Sequence, residues 1–436
     1  MEENTRKSNE CVIKARALYK MNKYEAAENE FNKAIEADSM NVNAYMQYVH
    51  MCINRKEYNK ARNILKKIFV IDEKNGEAYF HLGNVEYMQK NVVEARSNYL
   101  KATTYGYDEP VVLYYLAMTN LATKDVENAK FYFRKVIQKD ERNVLSRIKL
   151  IEIANYEKNY GEVIAEAEQL MLYRPDAFEG YHYKFMALLD TNKTDDALML
   201  INHAIDLFPG DYSFAYDLVL YYLKTEQYET ALDYINERFE ANEKAKEAIQ
   251  SEKAKVLFKL ARFKEAESIF DVVLTKKFND ELCHMSMVSL LGLGEWNKLI
   301  GRSEKLIQKS NDNKLKGIAW YYKAISYKMI GEEKDMRDAL EQANSVLKDE
   351  SAAEKFELEV YVYRALCEVL LENYEAALEI MDFAEKITDS KNGEIYYIRS
   401  IIYKKMGNEE KAACDYETAN KLGNRFRELE LQEEII

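Results

Sequence analysis

Small and apolar residues recur at offsets that belong to one face of a helix, and the same offsets return every 34 residues. Ala27, Ala61, Ala95, Ala129, Val163, Ala197 and Ala231 follow one another at that interval without slippage. Three residues before each stand Tyr24, Tyr58, Val92, Val126, Tyr160, Thr194 and Tyr228. Four residues after each stand Phe31, Leu65, Tyr99, Phe133, Ala167, Ile201 and Ile235. Seven after come Ala34, Ile68, Ala102, Val136, Leu170, Ala204 and, out of character, Arg238. These four positions share a single helical face. A second apolar face precedes each set, as in Tyr45, Tyr48, Val49 and Cys52. Each unit therefore predicts two helices of about 14 residues, roughly 20 Å long apiece. No stretch shows sustained alternation with period two.

The small positions have a packing reason. Where two helices cross closely, Ala lets the backbones approach while bulkier neighbours fill the flanks. One such hairpin is marginal in water, and stacking copies buries the faces that a single copy leaves open. Repeats are placed at starts 8, 42, 76, 110, 144, 178, 212, 247, 281, about 317, 358 and 393.

Three stretches carry a family likeness: "EAYFHLGNVEYMQKNVVEARSNYLKAT" (77 to 103), "AWYYKAISYKMIGEEKDMRDALEQA" (319 to 343) and "EIYYIRSIIYKKMGNEEKAACDYETANKLGN" (394 to 424). With the 34-residue period, they resemble the tetratricopeptide repeat family. The resemblance implies an all-α fold, an α-solenoid whose antiparallel helix pairs wind into a right-handed superhelix. It also implies that the first helix of each repeat lines the concave side.

The organisation predicted is a lead-in at 1–7, a block of about seven repeats at 8–246, a block of about five at 247–424, and a capping helix or tail at 425–436. The block boundary rests on Arg238 and the charged run after it. The terminal proline of the family pattern appears only as Pro175 and Pro209. Repeat nine departs most: Gly292, Gly294 and Gly301 interrupt it, and its second helix lacks the alanine. Residues 281–316 read either as a drifted repeat with longer loops or as a hinge. Extra residues are expected around 310 to 316 and 345 to 357.

Composition narrows the function classes. With 3 Pro and 14 Gly in 436 residues, the punctuation that hairpins need is scarce. The net charge of −13 repels phosphate backbones, and the basic stretch at 55 to 69 has the spacing of a solvated helix face, so no nucleic acid is expected. The 5 cysteines form no CxxC and are odd in number, which fits a reducing, cytoplasmic setting. No window approaches 18 apolar residues, so no membrane span is expected.

Chemistry is harder to find. Nucleotide-binding, zinc-protease, hydrolase and EF-hand motifs are all missing, so no catalytic residue, metal or cofactor is expected and the chain is not read as an enzyme. His50 and His81 fall on first helices of adjacent repeats and can approach one another. A metal there would still need a carboxylate or further histidine at matched positions.

The leading functional expectation is a protein-interaction scaffold or adaptor. It binds an apolar or amphipathic peptide segment of a partner protein in the concave groove. The groove residues are Phe80, Asn84, Tyr87, Tyr114, Met118, Leu121, His182, Met186, Tyr216 and Leu220, with Ile148, Glu152, Asn155, Leu189 and Leu223 at the same repeat positions. The resemblance also lets one subtype be set aside: members that grip a carboxylate tail need Lys and Asn at positions where only Asn84 has the right type. The alternative is a ligand-gated regulator that binds a signalling peptide or small molecule. Self-association through an uncapped end is the less favoured outcome, because "RFRELELQEEII" reads as a capping helix.

Overall fold

The structure is a computed structural model that describes residues 2–351, 356–388 and 392–422. Among them every regular element is a helix, and the helices come in twelve consecutive pairs. The chain divides into two compact units, Met1–Leu207 and Phe208–Ile436. The expected cap at 425–436 lies outside the described residues.

Unit 1 holds six pairs: α1 (Glu2–Lys20) and α2 (Tyr24–Ala37), α3 (Val42–Asn54) and α4 (Tyr58–Ile71), α5 (Gly76–Met88) and α6 (Val92–Thr104), α7 (Pro110–Ala122) and α8 (Val126–Lys139), α9 (Val144–Tyr156) and α10 (Tyr160–Tyr173), α11 (Phe178–Asp190) and α12 (Thr194–Leu207). Unit 2 holds α13 (Tyr212–Lys224) and α14 (Tyr228–Phe239), α15 (Glu243–Lys259) and α16 (Phe263–Lys276), α17 (Asp280–Leu293) and α18 (Trp296–Lys309), α19 (Asn313–Ile330) and α20 (Glu333–Ser351), α21 (Leu358–Leu370) and α22 (Tyr374–Ile387), α23 (Gly393–Lys405) and α24 (Glu409–Leu422).

The helix starts have local causes. Asn41, Asn75 and Asn143 cap α3, α5 and α9 by accepting from the backbone N–H groups of Ala44, Ala78 and Ser146. The turn inside each pair repeats as well. Asn22, Lys56, Lys90, Lys124, Lys158, Asn192 and Glu226 all have positive φ, again 34 residues apart. After Lys56 the N–H of Glu57 donates back to the carbonyl of Cys52 at 2.8 Å, and after Lys90 that of Asn91 donates to Glu86 at 2.9 Å. This closes the helix in the manner usually given to glycine. Only later do glycines take that place, at Gly294, Gly331 and Gly407.

All seven small positions are fully buried, as are Leu65, Tyr99, Phe133, Ala167 and Ile201 one turn on. Gly83 shows how tight the contact is, since a Cβ there would sit 2.5 Å from the Tyr99 ring. In two pairs of unit 2 a larger residue takes the small position: Leu299 in α18 and Met336 in α20 are buried. Arg238 does not pack as a small residue would. Its guanidinium lies 5.2 Å over the Tyr212 ring and donates to the Pro209 carbonyl.

The stretch 281–316 continues as an ordinary pair, with Gly294 in the left-handed turn and Leu282, Met287, Leu299 and Leu306 buried. The extra residues before 317 are the first turn of α19, capped by Asp312, which accepts from the Leu315 N–H at 3.0 Å. Those after 345 lengthen α20 to Ser351.

Candidate functional site: the first-helix face

Within unit 1 the first helices of successive pairs touch: α1 packs on α3, α3 on α5 and α9 on α11. Second helices make no comparable contact with one another among the described residues. The closer spacing makes the first-helix layer the inner side of the unit. Second helices are tied forward instead by ion pairs of the same period: Arg62 to Glu86 at 2.9 Å, Arg96 to Asp125 at 2.7 Å and Lys130 to Glu157 at 2.8 Å.

The groove residues expected from sequence fall into three kinds. Tyr87, Tyr114, Met118, Leu121, His182 and Met186 are half-buried on α5, α7 and α11. Tyr87 meets Tyr115 edge-on with ring centroids 5.7 Å apart, and Tyr114 meets Phe133 at 5.8 Å. Asn84 is half-buried too, but it accepts a 2.9 Å hydrogen bond from the Tyr99 hydroxyl, which ties it to the core. Phe80 is different: it is only 7% exposed and is enclosed by the rings of Tyr99, Tyr107 and His81. Leu189 is likewise buried. In unit 2, Tyr216 and Leu220 on α13 are half-buried, and burial with the nearby Glu252 carboxylate raises the Tyr216 phenol.

The cations on first helices α9 and α11 of unit 1 are paired, as Lys184 of α11 is with Glu168 at 2.8 Å. Lys149 and Glu152 pair at 2.6 Å on α9, and Asn155 is exposed beyond them. The bond to Glu152 raises the Lys149 ammonium above its ordinary value. Burial raises the Tyr114 phenol. A concavity of about 550 Å³ lies in unit 2 among Tyr361, Arg364, Ile380 and Phe383, away from the expected groove positions.

His50 and His81 do come together, with ring centroids 4.4 Å apart and the rings edge to face. The carboxylate that the sequence reading required is Glu77, whose oxygen lies 3.9 Å from His81 Nε2. That distance is longer than a hydrogen bond. His81 holds the Glu77 carboxyl below its ordinary value, and burial followed by His81 lowers the His50 imidazole. The signal for Glu77 was present in its spacing: four residues before His81, it shares that helix face.

No helix among the described residues is long and apolar enough to cross a membrane. Models of the tetratricopeptide repeat family match residues 11–39, 111–141 and 184–245. A curated relative, the anaphase-promoting complex subunit 3 of Schizosaccharomyces pombe, is 23% identical over 145 residues. That match spans 33% of this chain and 22% of the relative. Among solved structures, YrrB, described as a TPR protein with an unusual peptide-binding site, is 20% identical. The overlap covers 42% of this chain and 95% of YrrB, with a TM-score of 0.38. The APC/C assembly Cut9–Hcn1 is 10% identical, covering 98% of this chain and 96% of that one, with a TM-score of 0.42. Overlap at this level says nothing of what this chain binds.

Proposed function

The chain is a tetratricopeptide repeat protein, a class of protein-interaction scaffolds, and from that premise we propose that it is a non-catalytic adaptor. Its first-helix face holds an apolar or amphipathic segment of a partner protein. The observation that carries this reading is the set of half-open large side chains on the first helices α5, α7 and α11 of unit 1: Tyr87, Tyr114, Met118, Leu121, His182 and Met186. Solvated faces seldom present large apolar groups side by side. Aromatic and Met side chains suit a surface that adapts to its occupant and concentrates binding energy in a few anchors. Phe80 contributes as a buried support beneath the face rather than as a contact. Tyr216 and Leu220 repeat the same character on α13 of unit 2.

The pairing of the cations on α9 and α11 favours an apolar segment over an acidic tail. Lys149 is already paired with Glu152, so a carboxylate laid there would lose hydration without a free cation to replace it. Cross-linking of the native protein, followed by mass spectrometry, tests the reading. Partner cross-links should concentrate at residues beside α5, α7, α9 and α11. Cross-links confined to the second helices would refute it.

A further inference from the structure

His50 on α3 and Glu77 and His81 on α5 bring one donor atom each within 4.8 Å of one another. Three features distinguish this trio from polar side chains that merely happen to meet. Glu77 and His81 are four residues apart on one helix, the spacing that stacks two side chains on the same face one turn apart. Their helix is fixed at its start by Asn75, which accepts from the Ala78 N–H at 2.9 Å. His81 is itself buried at 7% exposure and braced by the Phe80 ring, 5.1 Å away. One ligand is thus rigid, while His50 and Glu77 are more open and can move toward an ion.

The donor set is selective. Two imidazole nitrogens and one carboxylate oxygen suit zinc and its first-row neighbours, whereas calcium and magnesium take oxygen ligands. The distances are compatible. Tetrahedral ligand atoms at their usual distance from zinc lie about 3.3 Å apart, so donors within 4.8 Å must close by up to about 1.5 Å through side-chain rotation. Two other groups face the cluster. Arg16 of α1 is near His50, and its charge opposes a cation, but its side chain is exposed and can turn away. The Tyr107 phenol is near Glu77.

We propose that His50, Glu77 and His81 form a binding site for a single divalent transition-metal ion of the zinc class. Three protein ligands leave a coordination position for water or for a donor atom of a bound segment. The site stands whether or not the first-helix face holds a partner. It would bridge the second and third helix pairs, so an ion bound there ties α3 to α5.

The test is calorimetric titration of the full chain with Zn²⁺ alone in a non-chelating buffer, repeated with Co²⁺ and read by visible absorption. One equivalent should bind, and the cobalt form should show tetrahedral d–d bands without the thiolate charge-transfer band that a cysteine site would give. His50→Ala and Glu77→Gln should each weaken Zn²⁺ binding at least tenfold at unchanged helicity. His203→Ala, an exposed histidine of α12, should leave it unchanged. Zn²⁺ should also raise the melting temperature of the wild-type chain but not of His50→Ala, because only a ligand of the folded state stabilises it. Absence of a saturable equivalent in the wild-type chain would overturn the proposal. So would wild-type affinity in His50→Ala and Glu77→Gln, or a cobalt spectrum dominated by thiolate.

Discussion

The two units are built from the same helix pair but bury it differently. In unit 1 the starts of α3, α5, α7, α9 and α11 and the left-handed turns keep one spacing throughout. Its buried apolar residues fall into separate clusters, among them one around Ala27 to Val85, one around Phe80 to Leu116 and one around Ile151 to Ala187. Unit 2 abandons the spacing after Glu226, lengthens α15, α19 and α20, and joins residues from Ala215 to Ile402 in one continuous core. Large buried side chains make the joins. Tyr321 and Tyr322 are fully buried on α19, and the Tyr322 hydroxyl meets that of Tyr363 on α21 at 3.0 Å. A strict repeat therefore yields local cores that can open one at a time, whereas an irregular one exchanges that modularity for shared burial.

The largest effect should come from breaking a join. Tyr322→Ala should cost about 3–5 kcal/mol from the cavity alone and should lower hydrogen-exchange protection across 215–402. Tyr99→Ala should cost a similar amount but lower protection only in its neighbouring pairs. A Tyr322→Ala effect confined to α19 and α20 would deny the contrast.

Next comes overpacking of a small position. Ala95→Leu or Ala129→Leu should cost about 1–3 kcal/mol in urea melts, because both sites are fully buried where helices cross. Lys101→Gln on the exposed side of α6 should stay within about 0.5 kcal/mol. Equal effects would show that the helical register is wrong.

One pH effect should come from Glu267 of unit 2. Glu267 is 4% exposed, and burial pushes its carboxyl up to about 7, although Ser286 donates to it at 2.7 Å and Arg302 lies at 2.9 Å. The raised value means that the folded state holds the proton more tightly than the unfolded chain. Its stabilising share is complete below about 4.5 and is lost as pH rises through about 7. Thermal melts of Glu267→Gln should lack that decline between pH 5 and 8, and a parallel decline in the variant would assign it to other groups.

The smallest expected change is at the turns. Lys90 pays the cost of a left-handed backbone that glycine avoids, so Lys90→Gly should stabilise unit 1 by up to about 1 kcal/mol after the loss of chain stiffness. Gly331→Ala in unit 2 should destabilise by a comparable amount. Denaturant midpoints that shift the same way in both would contradict this account of the turns.

Much of the fold was legible because packing dictates it: Ala61 or Ala129 must be small where two helices cross, and the interval between them shows in one dimension. The turns were half legible. Nothing in Lys56 or Lys90 announces the left-handed backbone that both adopt. Residues before 317 read as an insertion because the cap at Asp312 depends on a hydrogen bond rather than on hydropathy. The site was less legible still. Phe80 has the character of a contact residue, but the rings of Tyr99 and Tyr107 close over it from α6 and the loop beyond. His50 and His81 were visible as a pair, and Glu77 was legible only as a neighbour of His81 on one helix face, while the approach of His50 to both needed the packing of α3 on α5.

The adaptor reading is tested most directly by the affinity of the cross-linked partner for chains altered on opposite faces. Tyr114→Ala and Met186→Ala alter the first-helix face, while Phe131→Ala alters an exposed ring on α8. The account predicts that each of the first two weakens binding by more than about 1 kcal/mol, with little dependence on salt, while Phe131→Ala binds as the unaltered chain does. Wild-type affinity in both first-helix variants, or a loss seen only with Phe131→Ala, would contradict it.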